Sequence, residues 1–345
     1  MLLNFAAFVV IVAGIMSAKS LILPFLLAAF LAIICGPPLY WLRTKGVPAT
    51  LSILILVLLL IVLEMVVAGL IGSSLDDFSK SLPLYQSRLK DILSGLVGWL
   101  EQHGIAVTDK ILMEQFNPGK LMGLAANTLN KMGGLLTNTF MIILTFVFIL
   151  LEAAGFPDKL RAMAGNRNAS LDDYAQITKG VNRYMVLKTG TSLVTGVLVT
   201  ISLTIIGVDF AMMWGLVAFL LNFIPTVGSI IAAIPAVLLA LVQLGFGPAA
   251  ATAVCYLVIN VLIGNILEPR IMGSGVGLSP LVIFVSMAFW GWVLGPVGML
   301  LSIPLTMTSK IALDGNEKTR WLALLLGSNS DAKTRLQQLA EKQIH

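Results

Sequence analysis

Asn222-Phe223-Ile224-Pro225-Thr226-Val227-Gly228, followed by Pro235, interrupts an apolar run that extends over residues 210 to 244. A second apolar run, residues 278 to 309, is interrupted by Gly295-Pro296-Val297-Gly298 and then Pro304. The two clusters share nearly one arrangement and read as a degenerate internal repeat. As continuous helix the first run would be roughly 50 Å long at about 1.5 Å per residue, well beyond a hydrocarbon core of about 30 Å. Two complete crossings would need about 40 residues. A segment too long for one crossing, too short for two and broken at its centre is expected to be a helical hairpin that enters the bilayer and returns. Paired interrupted segments of this kind point to a transport site.

Composition sets the class. The 345 residues are 58% hydrophobic and 11% charged, against about 25% charged in soluble domains, and the mean hydropathy is +0.95. An all-α polytopic membrane protein follows. The net charge of +5 does not gather into one basic stripe; Lys and Arg fall between apolar runs, where they act as topology signals rather than as a nucleic-acid surface. Cys35 and Cys255 lie in separate apolar runs without Cys-x-x-Cys spacing, so neither a disulfide framework nor a metal site is expected, and no cofactor. The run from Leu2 to Ala18 lacks a basic leading region and a second apolar run follows at once, so it reads as a membrane segment and not as a cleaved signal.

The chain divides into N-terminal membrane helices over 1–72, an amphipathic helical insert over 73–131, a membrane helix at 132–152, and a polar helical insert at 153–185. A transport core with the two hairpins, 186–309, and a charged helical tail, 310–345, complete it. Candidate spans are 2–18, 21–42, 49–72, 134–152, 186–207 and 248–265. In the first insert Leu82, Tyr85, Leu89, Ile92, Leu93, Leu96, Trp99 and Leu100 recur at helical spacing, ended by His103 and Gly104. A lone chain would leave that stripe exposed, so it is expected to join an oligomeric contact. Asn117 before Pro118 starts another helix, and Ser170 with Asp173 forms a capping box in the second insert. Ser279 before Pro280 caps the second hairpin's entering helix. Arg43 and Lys45 occupy the shortest clear loop and place it in the cytoplasm. Alternation then puts both termini inside and residues 73–131 outside.

The interrupted segments, together with Gly264-Asn265-Ile266-Leu267-Glu268-Pro269-Arg270, Met272-Gly273, Gly277-Leu278-Ser279-Pro280, Gly291 and Trp292, closely resemble the signature of the autoinducer-2 exporter family. The large insert after the third span fits that family's layout. The resemblance implies a multi-span transporter of the bacterial inner membrane that exports the furanosyl signal autoinducer-2. It also implies a homo-oligomer, a pentamer. Some members of the family resemble sodium(lithium)/proton antiporters, so the fold match is stronger than the substrate match.

The residues themselves support transport without naming the solute. Pro225 and Pro235, or Pro296 and Pro304, remove backbone donors at membrane depth, and Gly228 and Gly298 accompany them. Such breaks either kink packed helices or line a polar cavity. Between Thr189 and Ser309 the only acidic or basic residues are Asp209, Glu268 and Arg270. A neutral polyhydroxylated solute could be held by Asn222, Thr226, Asn260 and Asn265 and by backbone groups, with no counter-ion. Coupling to an ion would fall to Glu268 or to Glu64, which interrupts the third span. For Glu64 the other reading is a structural or interfacial carboxylate. For Glu268 it is a pair with Arg270 closing a helix end. No catalytic triad, metal-ligand cluster or Walker motif is present, so neither an enzyme nor an ATP-driven pump is expected.

Overall fold

The computed structural model describes residues 2–103, 123, 139–153, 168–225, 227–272, 277–315 and 318–328, and all regular structure among them is helical. Helix α1 (Leu2–Ser17) passes through the single residue Ala18 into α2 (Lys19–Thr44), and α3 (Ala49–Gln102) follows a short turn. Then come α4 (Thr139–Ala153) and α5 (Asn168–Ile206). The first interrupted run forms α6 (Ala211–Leu221) and α7 (Val227–Leu244). Helix α8 (Phe246–Asn260) widens into a π-helical segment, Val261–Leu267, and continues as α9 (Glu268–Met272). The second run forms α10 (Pro280–Leu294), α11 (Pro296–Leu300) and α12 (Ser302–Asp314), and α13 (Arg320–Leu326) comes last.

Among the described residues, five helical stretches are long and apolar enough to cross a bilayer: Lys19–Thr44, Ala49–Trp99, Gly180–Ile206, Val227–Leu244 and Phe246–Ile271. Helices α4, α6 and α10 are apolar but shorter. The chain is a multi-pass membrane protein. Much of its apolar surface is exposed, with Val10, Leu58, Met65, Ile205 and Leu281 turned outward. In lipid such faces cost nothing, so helix contacts depend on close packing.

Two packing centres organise the bundle. In the first, α2 presents the small residues Ala28, Ala32 and Cys35 at helical spacing to Ile142, Phe146 and Leu150 of α4, with Ile53 and Leu56 of α3 closing the cluster. The second is larger and gathers Val199 and Leu203 of α5, Trp214 and Val217 of α6, Ala232 to Ala240 of α7, and Tyr256 and Ile259 of α8. Between α5 and α6 the fit is close. A Cβ at Gly215 would fall 1.8 Å from Thr200 Oγ1 and 2.7 Å from the Gly196 carbonyl oxygen, so only glycine allows that approach.

Helix α3 joins the two centres. The sequence suggests a span and then a separate amphipathic helix, but the structure makes them one helix of 54 residues, roughly 80 Å long. Ser73 to Lys80 change what the helix faces without supplying a breaker, and Lys80 reaches Asp76 one turn back at 2.5 Å on the exposed side. Helix α3 also continues through Pro83. Part of the stripe expected to face another copy is covered within the chain, and the side chains of Leu96 and Leu100 lie outside the described residues. Phe78, Tyr85 and Leu89 are buried in the α5–α8 centre, with Leu82 and Leu93 packed beside them, while Trp99 remains exposed. Tyr85 donates to Asp209 Oδ2 at 2.7 Å and Arg88 to the Gln243 carbonyl at 3.1 Å, which fastens this arm to the loop before α6 and to the last turn of α7.

The first run is broken at its first cluster and not at Pro235, whereas the second is broken at Gly295 and again at Leu301, ahead of Pro304. Pro235 lies buried inside α7, and Pro304 sits in the first turn of α12, where its missing amide has no acceptor to lose. The Ser279 cap forms as its sequence suggests, accepting from the Val282 amide at 3.3 Å with Pro280 in the first turn. Thr226, the Asn117-Pro118 start, the side chains of Ser170 and Asp173, and the tail beyond Ser328 lie outside the described residues.

Candidate functional site

Along the covered face of α5 runs a line of polar side chains. Tyr184, Lys188, Thr191, Ser192 and Thr195 recur at helical spacing and all are buried. Over about 16 Å they form a polar seam between α5, the α6–α7 run and the α8–α9 rod. Lys188, Thr191, Ser192 and Thr195 each have a polar partner close by. Asn222 Nδ2, at the break between α6 and α7, donates to Ser192 Oγ at 2.9 Å. Thr191 and Thr195 donate to carbonyls of their own helix at 3.1 and 3.0 Å.

At one end of the seam Thr195, Ser229, Asn260 and the Tyr256 ring line a crevice with Val199, Ala218, Ala232 and Ile259. It is too narrow for a water molecule. Tyr256 OH is buried there without a protein hydrogen-bond partner, and nearby in the same core Trp214 Nε1 is likewise unmatched. A buried hydroxyl with no partner costs roughly 1–3 kcal/mol. Such a group is a donor held ready.

At the other end stands the ion pair of Lys188 Nζ and Glu268 Oε1, 2.6 Å apart, with side chains 5% and 16% exposed. The sequence suggests that Arg270 partners Glu268, and the structure corrects this. Residues two apart on a helix point to nearly opposite sides, so Arg270 is exposed while Glu268 turns inward to α5. Glu268 also marks the end of the π-helical segment, where its amide reaches back five residues to the Ile263 carbonyl. π-Helical turns are rare and frequent at functional sites.

The breaks in the two interrupted runs are closed by their own backbone. Asn222, Phe223 and Ile224 amides return to Ala218, Leu220 and Leu221 carbonyls, and the Gly228 amide bonds the Ile224 carbonyl. Phe30 and Phe219 pack edgewise on Phe223, covering the turn that Pro225 ends. In the second run Gly295 adopts φ 73°, and Trp290 Nε1 donates to Thr306 Oγ1 at 3.0 Å across the break. The two breaks share one device. A Cβ on Gly228 would lie 1.8 Å from the Leu221 carbonyl oxygen, and one on Gly298 2.0 Å from that of Trp290, so each glycine seats one arm against the backbone of the other.

Not every residue singled out by sequence comes to the seam. Asn222 and Asn260 do, as does Glu268. Asn265 is exposed on the π-helical segment. Gly295, Pro296, Gly298 and Pro304 do not line the crevice. Val293 and Leu294, at the end of α10, pack on Val12 of α1. Glu64 accepts a hydrogen bond from Thr139 Oγ1 at the start of α4, away from the seam. Lys188 is not singled out by the sequence reading, because it lies at the very start of the 186–207 span beside the polar insert. Its signal was the helical spacing of Lys188, Thr191, Ser192 and Thr195 within an otherwise apolar span.

A multi-pass helical bundle with broken helices and a buried polar seam between them has the architecture of a membrane transport protein. The chain belongs to the AI-2E family of transporters, whose family model matches residues 5–317. It is 39% identical over 318 residues to the AI-2 transport protein TqsA of Escherichia coli (strain K12), covering 92% of each chain. It is also 39% identical over 338 residues to a candidate transport protein of Haemophilus influenzae, covering 96% of this chain and 97% of the relative. A third relative, YhhT of Escherichia coli (strain K12), is 35% identical over 326 residues.

Proposed function

We propose that this protein exports autoinducer-2, a small neutral polyhydroxylated signal, across the bacterial inner membrane. The seam's chemistry carries the reading: hydroxyl and amide groups of Thr195, Ser229, Tyr256 and Asn260 around the crevice, with the only ion pair on the seam already neutralised internally. A neutral solute rich in hydroxyls can exchange hydrogen bonds with such groups and needs no counter-charge. The likeness to TqsA supports the same solute.

The crevice is shut, so passage requires the bundle to open. In this reading the two interrupted runs are re-entrant hairpins, the termini are cytoplasmic, and the α5–α9 core moves against the α2–α4 centre so that the seam faces each side in turn. The interlocked glycines of α5 and α6 support movement of those two helices together. A homo-oligomer would hold the α2–α4 centre still. Cation–proton antiport fits less well, because Glu268 is paired with Lys188 and Glu64 accepts from Thr139.

Counterflow of labelled autoinducer-2 in proteoliposomes tests the function. Uptake above empty vesicles is expected, and Asn260→Ala and Ser229→Ala should each lower it while leaving thermal stability near that of the parent. Parent protein that moves no more label than empty vesicles would remove autoinducer-2 as the solute.

A further inference from the structure

We infer that the Lys188–Glu268 pair is the charge-selectivity element of the transport path, keeping the seam neutral so that ions are refused. The inference rests on the transport reading above and adds to it the residues that decide what the path rejects.

Three observations place the pair on the path and not beside it. Lys188 lies on the same face of α5 as Thr191, Ser192 and Thr195, and Thr191 donates to the Lys188 carbonyl. Seven residues separate it from Thr195 at the crevice, about 10 Å along the helix. Glu268 extends the rod that carries Asn260, and at 16% exposure it is the more open of the two. The pair therefore stands near one end of the seam, one turn inside Tyr184, where a solute would meet it before or after the hydroxyl-lined crevice.

A full charge buried on an apolar bundle attracts its opposite strongly, because little solvent screens it. With both partners present at 2.6 Å, the fields of ammonium and carboxylate largely cancel at the crevice. Removing the ammonium alone leaves a carboxylate that offers a monovalent cation a counter-ion. Removing the carboxylate alone leaves an ammonium that offers the same to an anion. Removing both restores neutrality. A pair serving only to hold α5 to α9 would produce none of these reciprocal changes in ion preference.

The test uses purified full-length protein in proteoliposomes, with three readings on each variant: labelled autoinducer-2 counterflow, sodium flux and chloride flux. The parent should pass autoinducer-2 and leave both ions at the level of empty vesicles. Lys188→Met should raise sodium flux at least ten-fold with chloride unchanged, and Glu268→Gln should do the reverse. The double variant Lys188→Met with Glu268→Gln should be ion-tight again and still move autoinducer-2. Ion-tight, monodisperse single variants would overturn the proposal, as would two single variants that leak the same ion. Should either single variant fail to fold, the exchanged pair Lys188→Glu with Glu268→Lys decides: ion-tight autoinducer-2 transport supports the element, and ion flux in it refutes it. Failure of the parent to move autoinducer-2 would strike the solute assignment, whereas the ion readings test the pair independently.

Discussion

Gly228→Ala should both destabilise the protein and impair transport, and the size of the effect follows from the hairpin's geometry. The new Cβ would stand 1.8 Å from the Leu221 carbonyl oxygen and 2.7 Å from its carbon, roughly 1.6 Å short of ordinary contact. The obstacle is backbone, so no side chain can rotate away. Relief requires the start of α7 to move from the end of α6 by about that amount. Asn222, the residue after Leu221, holds Ser192 at 2.9 Å, and a shift of that size breaks the bond and leaves two buried polar groups unmatched. Overpacking costs about 1–3 kcal/mol and the unmatched groups about 1–3 kcal/mol more. Against this stands the gain of about 1 kcal/mol from replacing glycine by alanine in a helix. The expected net loss is roughly 1–5 kcal/mol, read as a lower unfolding temperature of the purified protein in detergent. Gly95→Ala on α3, where a Cβ meets nothing within 4 Å, is the control and should be neutral or slightly stabilising. A Gly228→Ala protein that matches the control in both stability and counterflow would refute the proposal that this glycine seats the hairpin.

Phe146→Ala, at the contact of α4 with the small-residue stripe of α2, should cost about 3–5 kcal/mol, whereas Phe148→Ala on the outward face of the same helix should change little; thermal unfolding of the two distinguishes them. Tyr85→Phe removes the bond to Asp209 but keeps the buried ring, so a loss near 1 kcal/mol is expected, and Tyr85→Ala should lose several times more. Lys188→Met alone should destabilise by roughly 3–5 kcal/mol by leaving Glu268 unpaired, and adding Glu268→Gln should recover most of that loss in the same melt.

Much of this protein is legible along the chain. The apolar runs, few charges and proline-glycine clusters specify a polytopic helical bundle with two broken segments, because burial period and backbone breaking are local properties of neighbouring residues. The Ser279 cap before Pro280 is local in the same sense and forms as its sequence suggests. Partner choice is not local. Glu268 has an arginine two residues away and pairs instead with a lysine 80 residues distant, because helical geometry turns Arg270 aside and the packing of α9 on α5 brings Lys188 within 2.6 Å. The apolar stripe of the α3 arm is plain in the sequence, but only the fold shows that Phe78, Tyr85 and Leu89 bury against the chain's own α5–α8 core. Residue order alone fixes that this chain crosses a membrane and that two of its apolar runs break at proline-glycine clusters. Which polar side chains meet at the seam is set by packing between distant segments, α5 on α6 through Gly196 and Gly215 and α5 on α9 through Lys188 and Glu268, which no local pattern brings together.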